Sequence, residues 1–310
     1  MAEIHKTTLT PTKLELLTAW MPQQRWFAAK GAVPVLRKLG GYRLDDPAGE
    51  VGIEVMIVAD DGGASPVVYQ VPLTYRGSEA PELAHALVGT SEHGVLGTRW
   101  IYDAPHDHVF VAQLLNLITG DAQAQAQSVS NALDPEVVGH ALASGKLWLT
   151  SQAVLKGEQS NTSVICQVLD GGPSGDPLEP VIVKIFRVLA QGANPDVVVA
   201  GALTQAGSPY VPAVRGDVEG HWPDPVTGDE VRGHLAFAQA FLPGVEDAWR
   251  VAGAVAIAGE DFTAAARDLG IATAGIHRDL ADHLPSAPAS LEDRRRLAAS
   301  LRERGAAAVG

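Results

Sequence analysis

Cysteine is almost missing from this chain: Cys166 is the only one in 310 residues. A lone thiol excludes an internal disulfide framework and any zinc site built from several thiolates. Long apolar runs are missing too, and none approaches the ~18 residues of a membrane-crossing helix. The stretch Met1–Thr10 is polar and carries no apolar signal core. Positive charge is scarce, with 23 Lys+Arg against 36 Asp+Glu and a net charge of −13. That balance repels a phosphate backbone at long range. The longest basic run, Arg294–Arg296, lies beside Glu292 and Asp293 and reads as a solvated helix face. Neither nucleic acid nor a membrane is an expected partner, and the arithmetic predicts a soluble, cytoplasmic protein. A nucleotide ligand stays open, because a few local donors and a metal can hold one.

What is present can fold. Hydrophobic residues make up 46% and charged residues 19%, enough to build cores in a chain long enough for two domains. Residues 1–90 read as a small module of one helix followed by strands. Leu14, Leu16, Leu17 and Trp20 give Thr12–Trp20 an apolar face after Pro11. Val51–Val58 and Val67–Tyr75 are β-rich, and the acid-, glycine- and proline-bearing linker Asp60–Pro66 predicts a hairpin between them.

The middle of the chain changes character twice. Phe110–Ile118 reads as a helix, and Gly120–Asn131, rich in Ala, Gln and Ser, as a loose connector. Val154–Leu155, Val164–Val168, Val181–Phe186 and Leu235–Phe241 are β-like runs, the second and third joined by the turn Gly171–Pro180. A helix follows the third run. Asn194 can cap it, Pro195 suits its first position and Gly207 follows its end. From Gly244 onward the pattern is helical, over Phe262–Leu284 and Leu291–Ala308, and the last helix reads as cut off rather than finished.

Two features carry chemistry. Gly157–Ser163 is a polar loop between β runs. Gln159, Ser160, Asn161, Thr162 and Ser163 offer amides and hydroxyls that can cradle phosphate oxygens, or form an ordinary turn. Lys184 sits in Val181–Phe186 on the same face as Ile182 and Phe186. An ammonium there is costly unless it is paired, faces an anion or snorkels to water. A loop over phosphates with a lysine on the third strand reaching them is the phosphate-handling geometry of kinase-type N-lobes. The strand Leu235–Phe241 then supplies the hinge, with backbone groups at Gln239–Phe241, Gln239 and Phe241 among them, meeting adenine.

Other patterns mislead. His277-Arg278-Asp279-Leu280 spells a protein-kinase catalytic loop, but Leu284 stands where its asparagine belongs. It falls in a continuous helical pattern, so Asp279 reads as a surface acid. Gly139 to Gly145-Lys146 misses a Walker A spacing by one residue, and Leu147 replaces its Ser/Thr. His106-Asp107-His108 offers two metal ligands without a third.

The blocks Gly157–Ile165, Ile182–Arg187, Asn194-Pro195-Asp196 and Ala206-Gly207 resemble the actinobacterial maltokinase family. Trp20-Met21-Pro22-Gln23-Gln24-Arg25-Trp26-Phe27 resembles that family's cap signature. The resemblance implies an α+β, aminoglycoside-phosphotransferase-like kinase fold. In it an N-terminal α/β cap domain (residues 1–90) precedes an intermediate domain holding the protein-kinase-like N-lobe (91–243) and the start of an all-α C-lobe (244–310). It implies ATP and Mg2+ as cofactors and trehalose synthase as a partner. The acceptor is a sugar: maltose, giving maltose 1-phosphate, or, in a related branch, glucosamine phosphorylated at its 6-hydroxyl. Two departures stand out. The family's catalytic aspartate in a His-Gly-Asp loop and its metal-binding Asp-Phe-x-Gly-Glu segment do not occur in these 310 residues. The catalytic and metal residues are thus unassigned, and the chain is expected to be inactive alone. And Val198 stands where maltokinases carry a glutamate, a candidate partner for the strand lysine, leaving Asp196 or Glu158 as substitutes. A non-catalytic nucleotide-binding or partner-docking module is the alternative.

Overall fold

The computed structural model describes residues 8–130, 132–157 and 160–309. Its mixed α and β architecture is the one expected, built on two antiparallel sheets. Strand β1 is Leu9–Thr10, and helix α1 is Lys13–Trp20. Strands β2 (Leu36–Leu44), β3 (Gly52–Asp60), β4 (Val67–Arg76), β5 (Leu87–His93) and β6 (Gly97–Asp103) follow. Helix α2 (His108–Ile118) and the short β7 (Gln125–Ala126) close this part. The seven strands make one sheet in the order β1-β5-β6-β4-β3-β2-β7. The expected hairpin is β3–β4, running from Gly52↔Tyr75 to Asp60↔Val67. Strand β5 straddles residue 90.

The second sheet contains β8 (Val138–Ala141), β9 (Leu147–Val154), β10 (Asn161–Asp170), β11 (Val181–Phe186), β12 (Val214–Pro223) and β13 (Glu230–Ala240). Their order is β8-β12-β13-β11-β10-β9, so β11 is an inner strand between β10 and β13. Helix α3 (Pro195–Gln205) connects β11 to β12. Helices α4 (Ala248–Ala258), α5 (Thr263–His283) and α6 (Leu291–Val309) follow the second sheet.

Alternation explains how the layers stack. In β3, Ile53, Val55 and Ile57 join one core with α2 residues Phe110, Val111, Leu114 and Leu115 and with Val181, Val183 and Ile185 of β11. The opposite face, with Met56 and Val58, packs with Leu17 of α1, Trp26 and Phe27 in a second core. A strand covered on both faces reads as an unbroken apolar run, which is how Val55–Ala59 reads. Helix α1 starts at a capping box: Thr12 and Glu15 satisfy each other's backbone N–H groups. Gly139 belongs to packing rather than to a phosphate loop, since a Cβ there would lie 1.7 Å from the Leu117 carbonyl oxygen.

Glu54 is buried on the α1 side of β3. Its carboxylate takes the Lys13 ammonium, the Tyr75 hydroxyl at 2.7 Å and the Gln127 amide at 2.9 Å. Burial pushes this carboxyl upward, but the Lys13 charge and these hydrogen bonds outweigh it and hold it below its ordinary value of 4.5. A lowered folded value means the stabilisation is present above the ordinary value and is lost as pH falls through the folded one. Glu54→Gln is therefore expected to cost about 2 kcal/mol at neutral pH, the worth of hydrogen bonds to a charged group. In unfolding titrations the gap between variant and parent should narrow as the pH falls below the ordinary value and through the lowered folded one. A gap that persists there would assign the loss to packing instead of charge.

Candidate functional site

Lys184 lies midway along β11, paired with Ser163 of β10 on one side and Phe237 of β13 on the other. Its neighbours on the strand are all buried, while its own side chain keeps 24% exposure. The ammonium thus emerges from an otherwise apolar strand toward the start of α3. Asn194 caps that helix, its side-chain oxygen accepting the Asp196 N–H at 2.9 Å. Asp196 occupies the first turn, where a carboxylate complements the helix dipole, and its Oδ2 lies 3.9 Å from Lys184 Nζ. Of the two substitutes for a helix glutamate, Asp196 is the one the structure brings to the lysine. Glu158 lies outside the described residues. Val198 is 40% exposed on the same helix. The Lys184–Asp196 pair is loose and wet on its acidic side, with Asp196 at 65% exposure, so it contributes little stability and leaves the ammonium free to take another anion.

The polar loop is shorter than its composition suggests. Gln159 lies outside the described residues. Ser160 is exposed and Asn161 half-buried, but Asn161, Thr162 and Ser163 already belong to β10, opposite Phe186, Ile185 and Lys184. Thr162 and Ser163 are buried. The Thr162 hydroxyl accepts a hydrogen bond from Arg187 Nε at 2.8 Å, so it serves the interior. The cause is register: pairing with β11 draws three turn-forming residues into the ladder. The segment expected to meet adenine is likewise bonded into the sheet. Gln239 is paired on both sides, with Ile182 and Val214. The Ala240 N–H donates to the Ala213 carbonyl at 2.8 Å and the Phe241 N–H to the Pro180 carbonyl at 2.7 Å. Leu242, 47% exposed, is the first residue beyond these bonds.

The misleading patterns resolve into structure. Asp107 is fully buried, caps α2 and is bound by two nitrogens of Arg76 at 2.8 and 3.0 Å. His106 meets His85 ring to ring, with nitrogens 3.0 Å apart, and burial pushes its imidazole below the ordinary value. Among the described residues no three His, Cys, Asp or Glu side chains converge to hold a metal ion. Asp279 lies within α5, as the helical pattern predicts. It is half-buried rather than a surface acid, and its carboxylate faces Arg278 at 3.4 Å. Cys166 is buried in the core with its thiol pushed up to about 12, an inert hydrophobe.

Sequence reasoning missed a polar group on the lysine's own face. Residues opposite one another in a ladder share a face, and a row Ser163–Lys184–Phe237–Asp217–His140 crosses five strands in register. The irregularity between Val218 and Glu219 brings His234 to the Asp217 carboxylate. No local pattern announces such a group, because its members come from three separate strands.

The maltokinase N-terminal cap domain family matches residues 20–107. Among solved structures, glucosamine kinase in one crystal form matches at 22% identity with a TM-score of 0.54, covering 95% of this chain and 57% of that one. A second crystal form matches at 20% identity with a TM-score of 0.51, covering 94% and 57%. The chain thus spans less than two thirds of the length of the structures it matches. At these identities the likeness is one of fold, and it agrees with the kinase-like architecture expected from the sequence. Residues 20–107 are thus similar to the maltokinase N-terminal cap, and the chain as a whole is similar in fold to glucosamine kinase.

Proposed function

We propose that this chain is the nucleotide-gripping part of an ATP-dependent sugar kinase. The observation that carries the reading is Lys184, an ammonium on an inner strand of the six-stranded sheet, facing the capped start of α3. In this reading Lys184 holds the α/β-phosphates, and Ser160 and Asn161 contact them. The adenine edge is met by the backbone just after Phe241, at Leu242–Gly244, since the amides at Ala240 and Phe241 already have partners. In the transfer, the sugar hydroxyl oxygen bonds to the γ-phosphorus, the bond to the β-phosphate bridge breaks, and ADP leaves with the electron pair. The described residues assign no base to the departing hydroxyl proton. Magnesium, when bound with ATP, supplies charge neutralisation on the phosphates. The described residues present no cluster fit to hold it.

The cap match supports maltose as acceptor, giving maltose 1-phosphate. The fold match supports glucosamine, giving glucosamine 6-phosphate. A third reading is a non-catalytic nucleotide-binding or docking module. We also propose the division into a cap, an intermediate domain holding the N-lobe and a helical lobe, trehalose synthase as a partner and a cytoplasmic location. No described helix is long and apolar enough to cross a membrane. The test is a titration of the 310-residue chain with a non-hydrolysable ATP analogue, followed by amide NMR. Shifts centred on Ser160–Ser163, Lys184 and Leu242–Gly244 are expected, with no sugar phosphate formed from ATP and either sugar. Absence of binding would falsify the nucleotide reading, and robust turnover of either sugar by the intact chain would overturn the expectation that it is inactive alone.

A further inference from the structure

The row across the second sheet ties Lys184 to a group of imidazoles. His234 Nδ1 accepts the backbone N–H of Asn194 at 3.0 Å. An accepting Nδ1 carries no proton, so the neutral ring holds its hydrogen on Nε2. That nitrogen faces Asp217 Oδ1 at 3.7 Å, and His140 Nδ1 faces the same oxygen at 3.2 Å. Asp217 is 6% exposed and the His234 side chain 11%, so the ring is held inside the fold while His140 reaches solvent. Asn194 in turn caps Asp196, and Asp196 is the acidic partner of Lys184.

Helix α3 borders a cleft of about 400 Å³ lined by Val197, Val198, His140, Asp217, His234 and His283, among others. Buried Leu203 anchors its body and buried Val197 its first turn, where Asp196 sits. The cap residue before that turn has its own N–H fixed by the ring.

We propose that His234, facing Asp217, is a positioning residue: it fixes the start of α3 and, through Asn194, the place of the Asp196 carboxylate beside the Lys184 ammonium that meets a nucleotide phosphate. This rests on the nucleotide reading above. Losing the bond loosens the start of α3 and with it the Asp196 carboxylate beside the lysine, while the sheet, which does not depend on the ring, stays folded.

Two variants of the 310-residue chain test it. His234→Ala removes the acceptor. His234→Asn places a side-chain oxygen close to where Nδ1 was and restores it. In the parent, a long-range proton–nitrogen spectrum should show Nδ1 of His234 unprotonated. His234→Ala should move the Asn194 amide signal and speed its hydrogen exchange, and His234→Asn should bring both back. Affinity for the non-hydrolysable ATP analogue should fall about fivefold in His234→Ala, the worth of one net hydrogen bond, and recover in His234→Asn. An Asn194 amide indifferent to His234→Ala overturns the anchoring step. An altered amide with unchanged analogue affinity overturns the link to Lys184. Equal losses in Ala and Asn variants, tracking equal drops in melting temperature, reduce His234 to a packing residue and overturn the proposal. A parent that binds no nucleotide sinks the nucleotide reading itself, with the amide signals still deciding the anchor.

Discussion

Asp103→Ala is expected to cost about 3–5 kcal/mol of stability, the penalty for stranding one partner of a buried ion pair. The stranded partner is Arg187, the residue that follows β11 and has 0% exposure. Its guanidinium meets both Asp103 oxygens at 2.6 and 2.8 Å, gives Nε to Thr162 at 2.8 Å and lies 4.8 Å from the ring centre of Trp26. Asp103 ends β6 of the first sheet and Thr162 belongs to β10 of the second, so this one side chain joins the two. The seam beside it is continued by Gln70. Its side-chain amide reaches the carbonyls of Phe186 and Leu235 at 3.0 and 2.9 Å, and its N–H the carbonyl of Arg187 at 2.8 Å. A charge removed from water can be tolerated only while its partner is there. Arg187→Lys is expected to be nearly as harmful as Asp103→Ala, because one ammonium cannot serve both Asp103 and Thr162 as the Nη2 and Nε nitrogens do. The double variant Asp103→Leu with Arg187→Met should recover much of the loss, since an apolar pair of similar volume avoids the desolvation penalty. Urea unfolding of the singles and the double gives the coupling energy directly. Single-variant losses under about 1 kcal/mol would mean that water reaches the guanidinium once its partner is gone.

That cluster also shows where sequence reading succeeds and where it stops. Arg25 and Trp26 were legible as part of a signature, and Trp26 does pack in the core, 5.7 and 5.8 Å from the rings of Trp20 and Tyr69. Arg25 next to it is exposed. Helix α3 was legible because capping is local: an asparagine, a proline and a following glycine lie within one short stretch. The β3–β4 hairpin was legible for the same reason. Strand β2 was not, since Gly40 and Gly41 interrupt its pattern, and β12 was hidden by Gly216, Gly220 and Pro223. Those glycines answer distant neighbours: a Cβ at Gly41 would lie 2.1 Å from the Val55 oxygen and one at Gly216 2.5 Å from the His140 oxygen. The candidate site divides along the same line. Lys184 could be picked out from alternation within its own strand. That Thr162 turns inward to Arg187, that the amides at Ala240 and Phe241 are already bonded, and that His140, Asp217 and His234 meet are consequences of register between strands, which no local pattern contains.

Lys184→Ala should separate function from stability. The ammonium's protein partner is Asp196 at 3.9 Å, with that carboxylate largely in water, so removing it forfeits a pair worth about 0–1 kcal/mol. The strand around it is held by Ile182, Val183, Ile185 and Phe186, all buried, and none of these contacts needs the charge. A melting temperature close to the parent's is therefore expected. Nucleotide affinity should behave otherwise. A charge-assisted contact to phosphate contributes about 1.5–3 kcal/mol, so the analogue's Kd should rise roughly 10- to 100-fold. Lys184→Arg should recover only part of it, because the longer planar fork cannot place its charge where the ammonium sat. Raising the salt concentration should weaken parent and Lys184→Arg more than Lys184→Ala, since only the first two present a cation to the phosphates. In a longer protein that carries a sugar-binding lobe, the same alanine should remove most phosphoryl transfer. An alanine variant that binds the analogue as tightly as the parent would leave Lys184 as a lysine snorkelling to solvent beside an acidic helix cap, and the phosphate grip would have to be sought on another face of the sheet.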